Sequence, residues 1–217
     1  MRFRIDLRIF LFFILFYFTK QIETYILILI FAFIHELGHL SMGLALGMKP
    51  EKLELNPLGL SVSFKVEPND YNLKVKKANI LEIKKIIVAI AGPLTNLIII
   101  LIAKYIKINV FDYLMIIISN LILIIFNLIP IYPLDGGRIL KSILHIIFGK
   151  KKALKFTNKI SFIVIVILTI SSSISILYFK NIAIFLAIGY LWIIFLVENR
   201  KYKIQVQTYE LIENIQK

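Results

Sequence analysis

Long apolar runs recur along this chain, and several reach the roughly 20 residues that carry a helix across the hydrocarbon core of a bilayer. They extend from about Leu7 to Phe18, Tyr25 to Leu46, Ile83 to Ala103, Phe111 to Phe148 with a break at Ile129 to Gly137, Ile160 to Tyr178, and Ile182 to Val197. With 59% hydrophobic residues and a mean hydropathy of +0.84, a soluble domain with a polar surface is excluded. The expected fold is an all-α polytopic membrane protein of about six transmembrane helices. Residues 1–200 form one membrane-embedded domain, followed by a short cytoplasmic tail over 201–217. The first run is short and follows Arg2, Arg4 and Arg8 in the manner of a signal peptide, but Thr19, Lys20 and Gln21 offer no small-residue cleavage site. It reads as an uncleaved anchor.

The net charge of +13 is accounted for by the bias of basic residues toward cytoplasmic loops. With the N-terminus in the cytoplasm, six spans place 20 Lys and Arg on cytoplasmic segments (positions 2–8, 49–85, 150–159 and 200–217). Only Lys20, Lys104, Lys107 and Lys180 fall on the far side. Both termini are then cytoplasmic, and no aromatic-basic platform for nucleic acid remains. The absence of cysteine removes disulfides and thiolate metal ligands, leaving imidazole and carboxylate.

Between the second and third runs, Leu60, Val62, Phe64 and Val66 alternate with Ser61, Ser63, Lys65 and Glu67, which is the period of a half-buried strand. Asn56-Pro57-Leu58-Gly59 ahead of it has the residue order of a turn. A small β-hairpin at the membrane interface is expected over about 51–67. It serves either as a structural cover or as an edge that accepts an extended peptide.

Within the second run stand His35, Glu36 and His39 in the order His-Glu-Leu-Gly-His. Ionisable groups inside a membrane helix cost kilocalories and are functional by default. Four residues apart on a helix, the imidazoles lie on one face and reach one metal ion, while Glu36 points beside them toward a bound water. The alternative, two packing histidines and a snorkelling glutamate, leaves the coincidence of three costly groups unexplained. A catalytic zinc keeps three protein ligands and one open position. His145 is the third-ligand candidate by residue type and Asp135 by context. On one helix they stand roughly 15 Å apart, so both cannot bind the same ion. Asp135 is preferred because it ends Asn127-Leu-Ile-Pro-Ile-Tyr-Pro-Leu-Asp135-Gly-Gly137, where prolines and glycines break an apolar helix. Irregular backbone at membrane depth persists only where protein buries it or water reaches it. The competing reading of Asp135 is a helix N-cap paired with Arg138. Gly92 and Asn96 in Ala91-Gly-Pro-Leu-Thr-Asn96 read as close packing against the metal helix, and Gly43 and Gly47 as helix-packing positions.

These three motifs, in this order, resemble the site-2 intramembrane metalloproteases, and more narrowly the sporulation members of the stage IV FB type. The resemblance runs along nearly the whole chain, including the exit Glu198-Asn-Arg-Lys201. It implies a zinc metalloendopeptidase with His35, His39 and Asp135 as zinc ligands and Glu36 as general base. It further implies that Asn127 and Pro130 help hold the substrate backbone. The implied partners are the bilayer, a membrane-associated protein substrate, in the sporulation members a pro-sigma factor, and inhibitory membrane proteins. Those members usually continue into a nucleotide-sensing CBS domain, which is not expected after Lys217. Two other classes use similar residues. A divalent-metal transporter would need ligands on several helices, and an inert substrate-binding homologue would be expected to have lost Glu36 or a ligand.

Overall fold

The structure is a computed structural model that describes residues 2–18, 20, 22–56, 59–65, 75–103, 105, 113–179 and 182–215. The expected turn residues Pro57 and Leu58, the strand end at Val66 and Glu67, and the charges at Asp70, Lys74, Lys104, Lys107, Asp112, Lys180 and Lys217 lie outside these residues, as do Thr19 and Gln21. The chain divides into two compact units, Met1–Asn127 and Leu128–Lys217.

The first unit contains β1 (Arg2–Ile5), α1 (Arg8–Phe18), α2 (Ile22–Ala45), β2 (Lys49–Asn56), β3 (Gly59–Lys65), α3 (Val75–Ala103) and α4 (Tyr113–Asn127). The expected hairpin is present as β2 and β3, antiparallel, with Leu53 opposite Val62 and a register shift between Pro50 and Lys52. A strand that periodicity did not reveal, β1, adds to β2 in parallel and leaves β3 at the opposite edge. Four residues are too few for an alternation to be read. The apolar run of α2 stops at Gly47, whose φ of 73° is left-handed. Met48 N–H donates to the Gly43 carbonyl and Gly47 N–H to that of Leu44, the paired bonds of a glycine-terminated helix. Gly47 is therefore a helix terminator, not the packing position its spacing suggested, and a Cβ there would meet nothing within 4 Å. Gly43 is a packing position, but against the ring of Phe64 on β3 rather than another helix.

In α3, Ile80, Ile83, Ile87, Ile90, Leu94, Leu97 and Leu101 are exposed at three- and four-residue spacing. This apolar stripe suits lipid, while Val88, Ala89 and Asn96 are turned inward. A core of Leu27, Phe31, Ala32, Ala103, Ile116 and Leu123 joins α2, α3 and α4.

The second unit opens with the irregular segment from Leu128 to Leu134, with a cis Tyr132–Pro133 peptide, and continues through α5 (Asp135–Phe148), α6 (Lys150–Phe179) and α7 (Ile182–Ile215). Trp192 Nε1 donates to Thr169 Oγ1 over 2.9 Å, and Asn158 Nδ2 to Asn199 Oδ1 over 3.1 Å, tying α6 to α7. The segment expected as a tail over 201–217 is helical through Ile215, with Val206 buried and Glu210 3.3 Å from Lys155.

Among the described residues, three helical segments are long and apolar enough to cross a membrane: Ile22–Ala45, Asn79–Ala103 and Lys150–Ser173. Tyr113–Asn127 is a shorter apolar helix. The first apolar run yields only the 11 residues of α1, about 16 Å of helix against a hydrocarbon core of about 30 Å. The protein is an integral membrane protein, and its described residues supply three such spans of the six expected.

Candidate metal centre

The donors are set by α2. His35, Glu36 and His39 are all buried in it, and the two imidazole Nε2 atoms converge to 3.1 Å. Two nitrogens bound at 2.0–2.1 Å to one tetrahedral ion stand about 3.3 Å apart, so this spacing fits a shared metal. His39 Nδ1 lies 2.6 Å from the Val88 carbonyl of α3. That carbonyl can only accept, which places the ring proton on Nδ1 and leaves Nε2 as the lone-pair donor, the usual way a metal-binding histidine is oriented.

The approach of α3 depends on Gly92. A Cβ at this position would collide with the His39 ring and with Nε2 of His35. Thr95 sits against Gly38 in the same way, its hydroxyl donating to the Ala91 carbonyl over 2.8 Å. The close packing expected of this segment is present, and it is made directly on the imidazoles.

Glu36 reaches the hairpin. Val62 N–H donates to its Oε2 over 3.2 Å. Among the described residues β3 has β2 on one side only, so an N–H aimed at Glu36 lies on the open edge of the strand. Residues of the same parity, Leu60 and Phe64, present their backbone groups to that edge too. No sequence pattern could have identified Val62 N–H or the Val88 carbonyl, because both are backbone groups brought in by tertiary packing.

Asp135 is buried in the first turn of α5. It is not the N-cap. Leu134 holds that position and no side chain caps it, while Arg138 Nη1 lies 3.7 Å from Asp135 Oδ1, as the competing reading anticipated. The two following glycines allow the Leu128–Tyr132 backbone to fold onto this turn. A Cβ on Gly136 would strike the Leu128 carbonyl, and one on Gly137 that of Ile131.

His35, His39 and Asp135 form a candidate metal site, each offering one donor atom, with these atoms within 4.8 Å of one another. All three are buried, and two imidazoles with one carboxylate match the three-ligand set of a catalytic zinc. His145 is not in this group. It lies in the last turn of α5, where its carbonyl accepts from Gly149 N–H over 3.0 Å. Asn127 is the last residue of α4 and donates from Nδ2 to the Leu123 carbonyl over 3.0 Å, while Pro130 is half-buried in the segment that follows.

Residues 102–171 match Peptidase family M50. A zinc metalloprotease of Methanocaldococcus jannaschii is 33% identical over 143 residues, which are 63% of this chain and 38% of that protein. A solved structure, the site-2 protease from Methanocaldococcus jannaschii, superposes with a TM-score of 0.65 at 26% identity, covering 89% of each chain. Over these stretches the chain is similar to an M50 peptidase, a zinc metalloprotease and a site-2 protease. It spans well under half the length of the curated relative it matches.

Proposed function

We propose that this protein is an intramembrane zinc metalloendopeptidase that hydrolyses a peptide bond of a membrane-associated protein. The observation that carries the reading is the joining of a buried His-His-Asp donor set to a buried glutamate within a helix apolar enough to span a bilayer. In this reading His35, His39 and Asp135 hold the ion. A bound zinc would polarise the scissile carbonyl and lower the pKa of its water toward about 7. Glu36 takes the proton from the attacking water and returns it to the leaving nitrogen as the C–N bond breaks, so that water is added across the peptide.

A helical substrate hides its carbonyls in its own hydrogen-bond ladder and must unwind before attack. The open edge of β3 beside Glu36 supports a role for Leu60, Val62 and Phe64 in pairing with the unwound segment as an added strand. Asn127 and Pro130 are proposed to steady the substrate backbone on the strength of the resemblance. The finer reading is that the substrate is a pro-sigma factor of a sporulating cell, presented from the cytoplasmic side and restrained by inhibitory membrane partners.

Co-expression of the protein with candidate membrane-tethered substrates, wild type against Glu36→Gln, tests the enzymatic reading. Cleavage by both forms, or by neither across a broad substrate panel, overturns it. Deleting the gene in its host tests the finer reading, which fails if spores form normally and no sigma precursor accumulates.

A further inference from the structure

One motif residue is left unused by this mechanism. Asn96 on α3 is 0% exposed, and neither its Nδ2 nor its Oδ1 has a hydrogen-bond partner among the described residues. Asn120 on α4 is also 0% exposed; its Nδ2 donates to the Ile116 carbonyl over 2.8 Å, and its Oδ1 has no such partner. Buried polar atoms are nearly always paired with protein or with ordered water, and a membrane interior offers no bulk solvent in compensation. Packing alone would be served as well by leucine.

The two amides share a level. Asn96 lies seven residues before the end of α3 at Ala103, and Asn120 seven residues after the start of α4 at Tyr113. The two helices pack together and are consecutive, so they run antiparallel, and both side chains sit about 10 Å from the same end of the pair. Val88, Gly92 and Asn96 follow at four-residue intervals along one face of α3. The Val88 carbonyl accepts from His39, and Gly92 lies against both imidazoles. Asn96 is the next position on that face, about 6 Å further along the axis.

We propose that Asn96 and Asn120 form a water-binding site at the depth of the imidazoles, and that Asn96 is a positioning residue for water entering the hydrolysis. An amide offers one donor group and one acceptor, which a single water reciprocates while keeping further bonds for a second water or for Asn120 Oδ1. The catalytic part rests on the hydrolytic reading above; the water site does not.

Radiolytic hydroxyl labelling of the metal-free protein in lipid nanodiscs tests the site without reference to activity. Ile116 and Leu123, both buried on α4, are expected to be labelled in the wild type and several-fold less in Asn96→Leu. Absence of labelling in the wild type, or labelling unchanged in the variant, overturns the proposal. Asn96→Ser, which keeps a smaller polar group, guards against a leucine variant that misfolds and is expected to retain intermediate labelling. For the catalytic part, Asn96→Leu is expected to lower kcat about tenfold to a hundredfold with KM and bound zinc unchanged, and Asn96→Ser to recover part of it. A wild-type kcat in Asn96→Leu removes the positioning role. If the wild type labels as expected but cleaves no peptide, the water site stands and the hydrolytic reading fails.

Discussion

Val62 N–H donates to Oε2 of Glu36 over 3.2 Å, so the edge of a three-stranded sheet is fastened to the carboxylate beside the two imidazoles of the candidate metal site. A glutamine at position 36 presents an equivalent oxygen to Val62 but cannot take a proton from water. Glu36→Gln is expected to keep its bound zinc and membrane insertion while losing at least about a hundredfold in peptide cleavage. Metal analysis alongside a cleavage assay checks both halves, and near-normal cleavage would remove Glu36 from the base role.

The donor set makes a sharper distinction. Alanine at His35, His39 or Asp135 is expected to abolish both zinc retention and cleavage, because two remaining ligands do not hold a catalytic ion. His145→Ala is expected to leave both unchanged. Asp135→Asn discriminates further, since it keeps the shape and loses the charge. Wild-type zinc affinity and rate in that variant would dismiss Asp135 as a ligand.

The parts of this centre that the sequence disclosed are those whose chemistry is incompatible with a membrane unless they are used. Three ionisable residues in an apolar run, and an aspartate closing a proline-broken segment, announce themselves by cost. The hairpin was legible as well, because one face of β3 is apolar. What stayed hidden is supplied by backbone or by length. The Val88 carbonyl and Val62 N–H have no residue identity to read. β1 is too short for periodicity, and Gly47 is chemically indistinguishable from a packing glycine until its φ of 73° is known. The count of spans is less legible, because hydropathy measures composition, whereas crossing requires length. α1 has the composition with 11 residues, and α7 continues through a polar sequence because it packs on α6.

Gly92 is where the approach of α3 to the imidazoles can be tested. Its missing side chain is the space occupied by the His39 ring and His35 Nε2. Gly92→Ala is expected to push α3 away or rotate an imidazole, weakening zinc binding by about tenfold to a hundredfold, as for other losses of support behind metal ligands. Competition with a zinc chelator measures it. Gly47→Asn, at a left-handed position with open space, is expected to leave zinc binding intact.

The charge distribution makes a prediction about orientation that is independent of the metal centre. Reporter fusions after Lys85 and after Lys155 are expected on the cytoplasmic side, and fusions near Tyr105 on the opposite side. Opposite-side signals from the first two would invert the topology and place the basic segments away from the anionic cytoplasmic leaflet.

The contact between Phe64 and Gly43 separates substrate holding from chemistry. Gly43 lies one turn beyond His39 on α2, and its bare backbone is what the Phe64 ring covers, so the contact anchors β3 against the metal helix. A leucine at position 43 would displace the ring and with it the strand edge at Val62, without touching a metal donor. Gly43→Leu is therefore expected to retain zinc, to lower cleavage mainly through a raised KM for long membrane-associated substrates, and to lose little on short peptides that need no added strand. Phe64→Ala, which removes the ring from the other side, is expected to show the same pattern. If both variants cleave long and short substrates in the wild-type ratio, the strand edge does not hold substrate, and the hydrogen bond to Glu36 is left as the hairpin's sole link to the reaction.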